Sequence, residues 1–223
     1  MSETRSSETG SLPDVLPIFP LTGVLLLPRG RLPLNIFEPR YLNMIDDAMT
    51  GARIVGMVQT RAATSRLRPK LARVGCAGRI TSYAETDDGK YLIALTGVCR
   101  FEIGVESPML TPYRQVRAIY APFELDLAAD DDVEEFERAP FMDLLRRYLD
   151  RKGLGVEWDA VASAPGPALI NSLCMALPFE PAEKQALLEA RDLDERRAAL
   201  EALLHIDAAL PGDDDDDVRP SIQ

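Results

Sequence analysis

Residues 16–51 read LPIFPLTGVLLLPRGRLPLNIFEPRYLNMIDDAMTG, and the rhythm of this stretch decides how the rest of the chain is parsed. Three short apolar runs, Leu16–Phe19, Val24–Leu27 and Leu32–Ile36, are punctuated by Pro17, Pro20, Pro28 and Pro33. Each run has the length of a strand. Proline cannot donate to a ladder, so these strands are expected at edges, bends or barrel corners. The period then changes. Tyr41, Leu42, Ile45, Ala48 and Met49 fall on one stripe at helical spacing, which predicts a helix over Pro39–Thr50. Pro39 suits the first helical position, where its missing N–H costs nothing. Gly51 suits a left-handed residue just past the end, and Phe37 and Leu42 are spaced as a hydrophobic staple. The stretch therefore reads as a helix laid against a sheet.

Working outward, Arg53–Thr60 reads as a further strand. Val74–Ala84 and Tyr91–Thr96 flank Asp87-Asp88-Gly89-Lys90, whose Asp-Gly is a strong hairpin signal. In Arg100–Glu106 the side chains of Phe101, Ile103 and Val105 alternate with Arg100, Glu102 and Glu106, the pattern of a half-buried strand. Tyr113–Tyr120 supplies one more. After Phe123 the character becomes helical. Val133, Phe136, Phe141, Leu144, Leu145 and Tyr148 recur at three- and four-residue spacing up to Gly153, with Pro140 expected to split or kink that helix. A connection at Ala164–Pro167 precedes the apolar segment Ala168–Leu177. Glu180–Ala190 reads as a short helix opened by Pro181, and Asp192 and Glu195 as cap and third residue of a last helix carrying Leu200, Leu203 and Leu204. The expected class is α+β. Residues 1–11 read as a disordered tail, 12–123 as a β-rich unit, 124–210 as a helical bundle and 211–223 as an acidic disordered tail.

Composition bounds the function. With 223 residues, 46% of them hydrophobic, the chain buries a sizeable core without disulfides or metals. Its longest apolar runs, Val24–Leu27 and Tyr91–Leu95, fall far short of the roughly 20 residues that cross a bilayer. The polar N-terminus has no basic stretch followed by an apolar one, so a cytoplasmic protein without a membrane partner is expected. Cys76, Cys99 and Cys174 are far apart and in no CxxC pair; they are expected as buried small hydrophobes. The net charge of −11 argues against general affinity for nucleic acid, although Arg61, Arg66, Arg68, Lys70 and Arg73 form one basic stretch. Eight acids lie between Glu124 and Glu137, and Asp213–Asp217 is a solvated acidic run.

The residue types that would run an enzyme are not assembled in any recognisable spacing. There is no GxxxxGK[ST] loop, and Gly153-Leu154-Gly155 lacks the third glycine and the preceding strand of a dinucleotide fingerprint. There is no GxSxG elbow. The single histidine, His205, sits in a helical pattern among Leu203, Leu204 and Ile206 and reads as structural or surface. No catalytic, cofactor-binding or metal-binding residue is nominated, and no cofactor is expected.

The opening LPIFPL…VLLLPRGRLPLNIFEPRY, the Arg73-Val74-Gly75 strand start, GVCRFEI (Gly97–Ile103), Pro112-Tyr113 and the helical end ALPFEPAEKQALLEARDLDERRAALEALL (Ala176–Leu204) together resemble the N-terminal substrate-binding domain of the Lon protease family. The resemblance is closer still to free-standing bacterial proteins made of that domain alone. It implies a β-pseudobarrel of the PUA-like type with an inserted helix, followed by a small helical bundle. It also implies recognition of polypeptide without the ATPase and Ser–Lys protease modules. The expected partners are unfolded or specific polypeptide substrates, with a protease or chaperone acting beside the chain. An RNA-binding PUA-like module and an assembly partner of one dedicated protein are the alternatives. Inter-domain clefts favour binding, so the barrel–bundle seam is the place to look. Glu38, Arg40 and Tyr41, at the start of the inserted helix, and Arg100, on the alternating strand, are the candidate peptide contacts. A salt bridge at Glu38 or Arg100 holding the barrel together is the competing reading.

Overall fold

A computed structural model describes residues 12–61, 69–108, 110–128 and 136–209 of the chain. The two tails, Arg66 and Arg68 of the basic stretch, and Val133 of the expected helical stripe lie outside these residues.

Six strands form one mixed sheet: β1 (Val15–Pro20), β2 (Arg31–Ile36), β3 (Ile54–Thr60), β4 (Leu71–Glu85), β5 (Tyr91–Glu106) and β6 (Gln115–Ile119). Their order is β2-β5-β4-β3-β1-β6, and β5 also pairs with β6, which closes five of them into a pseudobarrel. Only β1 and β3 run parallel. Closure works because β5 is long enough to serve two neighbours. Its first half pairs with β2 from Tyr91 to Thr96, and its second half with β6 from Glu102 onward. Register shifts at Ala77/Gly78 and Ile80/Ser82 bend the β4–β5 hairpin into the wall. The hairpin turn is where the Asp-Gly signal puts it, with Gly89 at φ 74°.

The helix α1 spans Pro39–Thr50, as the stripe predicts, with Tyr41, Met44, Ile45 and Ala48 buried. Two details of its ends differ from expectation. Gly51 is not left-handed (φ −114°); the positive φ falls two residues later, at Arg53 (φ 57°). Phe37 keeps 62% of its surface in solvent. The remaining helices are α2 (Arg138–Lys152), α3 (Trp158–Ser163), α4 (Gly166–Ala176), α5 (Pro181–Glu189) and α6 (Leu193–Ala209), preceded by a 3-10 turn at Ala121–Leu127. Pro140 neither splits nor kinks α2. The helix begins at Arg138, so Pro140 stands in its first turn, where no intrahelical acceptor awaits its N–H. Gly153 ends α2 in the left-handed conformation. The short α3 was not legible as a helix. Its six residues, WDAVAS, are too few to display a period.

Strand β3 and the first half of β4 are buried on both faces, whereas β6 leaves Arg117 and Ile119 exposed, and the two buried faces belong to different cores. Leu16, Ile18, Ile54, Val58, Ala77, Phe101, Val116 and Ala118, from all five closing strands, form the inner one. Gly56 and Gly75 leave room for the Phe101 ring, since a Cβ on either would stand 2.8 or 2.9 Å from its Cζ. The outward residues Val55, Met57, Val74 and Cys76 join a larger cluster with α1, α2 and α4 to α6. Barrel and helices thus share one continuous outer core. The run Val24–Leu27 corrects the sequence reading. It is not a strand; Leu25, Leu26 and Leu27 are buried in a coil segment laid over the sheet. That segment is pinned by Arg29 N–H donating to the Gly97 carbonyl (2.8 Å) and Gly97 N–H donating to the Gly30 carbonyl (2.9 Å). Gly97 permits the approach: a Cβ there would lie 2.0 Å from the Leu27 carbonyl oxygen.

Candidate functional site

The seam between the barrel and α5 is closed at one end and open at the other. At the closed end, Arg100 lies on the outward face of β5 with only 2% of its surface exposed. The alternating pattern had placed it on a half-buried strand, but the 3-10 turn and the α5–α6 connection cover that face. Its Nε and Nη2 donate to the two carboxylate oxygens of Asp126 (2.9 and 2.8 Å). The backbone N–H of Arg100 donates to the same carboxylate (2.9 Å). Its remaining donors reach the carbonyls of Leu188, Ala190 and Arg191. These carbonyls belong to the end of α5, where a helix leaves acceptors unsatisfied and favours a cation. The guanidinium also lies 4.6 Å from the centroid of Phe123. Every donor of Arg100 is therefore engaged, and the side chain serves as a clamp.

At the open end, a cavity of about 600 Å³ lies between β3, β4 and α5. That is within the roughly 300–1,000 Å³ usual for ligand sites. Its apolar lining is made of small residues, Ala72, Pro181, Ala182 and Ala186, which is why space remains there. Gln59 organises the polar side. By the two-residue period of β3 it shares the outward face of Val55 and Met57, and it is only 3% exposed. Its Oε1 accepts from Gly23 N–H (3.1 Å), and its Nε2 donates to the Pro181 carbonyl (3.1 Å). Gln185 extends the network, its Nε2 donating to the Val74 carbonyl (3.1 Å) and to Glu189 (2.7 Å). Beside it, Lys184 Nζ donates to the Gly23 carbonyl (3.0 Å), and burial pushes its pKa down. The β3–β4 register shifts between Val58 and Thr60, so the ladder is irregular where the cavity opens. Arg61, Glu180 and Glu189 place charges of both signs around it. A capping box between Glu180 and Glu183 fixes the start of α5 at this edge.

The sequence candidates do not converge on one point. Glu38 and Arg40 form an exposed ion pair (2.7 Å) before and within the first turn of α1. Tyr41 is core rather than surface, 5% exposed, with Phe19 at 4.3 Å between ring centroids and Arg40 over its face at 4.5 Å. Burial raises the pKa of Tyr41, against the lowering influence of Arg40. Among the described residues, Arg100 shares no hydrogen-bond, ion-pair or ring partner with these three. The seam itself was anticipated as a place to look, but Gln59 and Gln185 were not. The available signal was Gln59 as the one amide in the apolar strand IVGMVQT.

The three cysteines are free and buried. Burial pushes the thiols of Cys99 and Cys174 up to about 12, which removes them as nucleophiles near neutrality. His205 is exposed on α6. No described helix is long and apolar enough to cross a membrane.

Comparison with known proteins gives this architecture its relatives. The solved Lon N-terminal domain protein of Xanthomonas campestris superposes with a TM-score of 0.58 at 23% identity, covering 84% of this chain and 97% of that one. The N-terminal domain of a Mycobacterium avium complex Lon protease gives 0.57 at 19% identity, covering 87% and 97%. In sequence, the chain is 30% identical over 201 residues to the Lon protease of Syntrophus aciditrophicus, covering 86% of this chain and 25% of that protein. It is 27% identical over 206 residues to Lon protease 2 of Myxococcus xanthus, covering 87% and 24%. The chain thus spans about a quarter of the length of these relatives. The sequence profile of the ATP-dependent protease La (LON) substrate-binding domain matches residues 15–205, and the chain belongs to that family.

Proposed function

We propose that the chain is a non-catalytic recognition module that holds a short segment of unfolded polypeptide in the cavity between β3, β4 and α5, acting as an adaptor in proteolysis. The observation that carries this is the cavity itself: small apolar residues on one side and the amides of Gln59 and Gln185 on the other, at the seam of a Lon substrate-binding fold. Small residues admit apolar side chains of a passing segment, and convergent amides suit its backbone N–H and C=O groups. Mixed charges around the opening favour no single net charge in the segment. Glu38 and Arg40, exposed at the start of α1, offer a second point of contact for a longer segment. In this reading Arg100 acts at a distance, holding the end of α5 so that its start keeps the cavity open.

The test is fluorescence anisotropy with a labelled unfolded polypeptide, with a labelled RNA measured beside it. Saturable polypeptide binding that survives moderate salt is expected. Ala182→Trp, which fills the cavity, should weaken it at least tenfold while the melting transition stays close to wild type. Unchanged binding by A182W would move the site elsewhere, and salt-sensitive RNA binding alone would replace the reading with a nucleic-acid one.

A further inference from the structure

Strand β2 is the strand left outside the barrel closure. It ends the sheet order, with β5 on one side and no strand on the other among the described residues. Gly97 N–H donates to the Gly30 carbonyl, and the register continues as Arg31↔Thr96, Leu32↔Leu95 and Pro33↔Ala94. Hydrogen-bonded and non-hydrogen-bonded pairs alternate along an antiparallel ladder. Gly30 bonds to β5, so Leu32, Leu34 and Ile36 do as well, and the backbone groups of Arg31, Pro33 and Asn35 point away from it. This phase accounts for Pro33, whose missing N–H falls on the open side, where no ladder bond is lost. The open edge therefore presents the N–H and C=O of Arg31, the C=O of Pro33, and the N–H and C=O of Asn35. All three residues are exposed, and none of these groups has a partner among the described residues.

The side chains along this edge say what fits it. Leu32, Leu34 and Ile36 share one face by the two-residue period of a strand. Ile36 is buried in the outer core, whereas Leu32 and Leu34 pack against that core and are only half-buried. A further strand laid along the edge would carry the core outward over them. On the opposite face Arg31 is exposed and makes no ion pair among the described residues, so it is a cation open to an acidic partner. Phe37, which follows directly on the strand, adds exposed apolar surface at its end. A second copy of the chain is a poor occupant. Pairing centred on β2 would set Pro33 against Pro33, two carbonyls with no donor between them.

We propose that the β2 edge captures an extended segment of another polypeptide by strand addition, antiparallel to β2, with apolar residues opposite Leu32 and Leu34 and an acid opposite Arg31. The site lies three strands from the β3 side of the cavity, and it stands whether or not that cavity holds polypeptide. The edge strand has only six residues and carries a proline, which limits pairing to a short segment and guards against open-ended aggregation.

The experiment uses the intact chain and a fluorescein-labelled heptapeptide, Thr-Thr-Val-Thr-Val-Glu-Thr, read by anisotropy. In antiparallel pairing its Glu falls opposite Arg31 and its two Val opposite Leu32 and Leu34. Saturable binding is expected. N-methylation of the Glu and the central Thr, whose N–H groups face β2, should abolish it, and N-methylation of the two Val, whose N–H groups face solvent, should not. Asn35→Pro removes an open-side N–H without touching the β5 ladder, so it should weaken binding at least tenfold while the melting transition stays close to wild type. Arg31→Glu should weaken binding severalfold and favour the peptide with Lys in place of Glu. Ala182→Trp should leave binding unchanged, which separates this edge from the cavity. No saturable binding, equal loss from both methylation patterns, or undiminished binding by Asn35→Pro would overturn strand addition. A concentration-dependent dimer of the chain alone, abolished by Asn35→Pro, would overturn the choice of a foreign segment in favour of a second copy.

Discussion

The two ends of α5 meet the barrel by opposite chemistry. At its C-terminal end, a buried guanidinium satisfies the helix carbonyls and a buried carboxylate together. At its N-terminal end, neutral amides reach across from Gln59 and Gln185, and a cavity of about 600 Å³ is left beside them. A desolvated ion pair fixes geometry but tolerates no loss of either partner. A side-chain amide hydrogen bond beside an open cavity is exchangeable with one to water or to a bound backbone. The sealed end therefore supplies rigidity, and the open end supplies the place where something else can bind.

Breaking the sealed end gives the largest expected effect. Arg100→Met strands Asp126, which is 8% exposed, and leaves the end of α5 without its cation. Loss of one member of a buried pair costs about 3–5 kcal/mol, a large part of the stability of an ordinary domain. Urea unfolding should show a correspondingly lower midpoint. The double variant Arg100→Met/Asp126→Leu sharpens the point. With no charge left unpaired it should recover part of the loss, and a double variant worse than both singles would contradict the view of a mutually dependent pair.

Next in size is a backbone effect close to the clamp, on the same strand. Gly97→Ala pushes a methyl into the Leu27 carbonyl, and backbone on both sides leaves no flexible side chain to yield. Overpacking of this kind costs about 1–3 kcal/mol. It should lower the urea midpoint and speed hydrogen exchange at Arg29, whose N–H donates to Gly97. At the open end, Gln185→Ala should cost only about 1 kcal/mol. Water entering the cavity can satisfy the Val74 carbonyl that the amide leaves. A loss as large as that of Arg100→Met would mean that the two ends are not chemically distinct.

Local elements were legible in the sequence because their signals are local. The α1 stripe, the Asp-Gly hairpin, the Pro181 start of α5 and the Asp192 cap each occupy a few consecutive residues. The Asp192 cap is the clearest, accepting from Glu195 N–H, although the Glu195 carboxylate reaches back to the Arg191 N–H rather than to the cap itself. Burial of Arg100 was not legible. Its partners lie 26 residues away at Asp126 and 88 to 91 residues away at the end of α5. Alternation along β5 shows which residues share a face but not what covers that face. The coil Leu25–Leu27 was misread for a related reason, since a continuous apolar run signals burial and leaves the backbone conformation open. The cavity shares this limit, because Gln59 and Gln185 meet only in three dimensions.

The smallest effect belongs to Glu38 and Arg40, where stability and recognition separate most cleanly. Their ion pair has side chains 43% and 49% exposed, and an exposed pair of this kind contributes about 0–1 kcal/mol. Arg40→Ala should therefore leave the urea midpoint almost unchanged, with only the small loss of its contact over the Tyr41 ring. A change in polypeptide affinity at unchanged stability would then come from the surface itself rather than from unfolding. Weaker binding by Arg40→Ala, restored by Arg40→Lys and greatest for long polypeptides, would extend the recognition surface from the α5 cavity to the start of α1. Equal binding by wild type and Arg40→Ala at every polypeptide length would confine recognition to the open end of the seam and leave this pair as a surface ion pair.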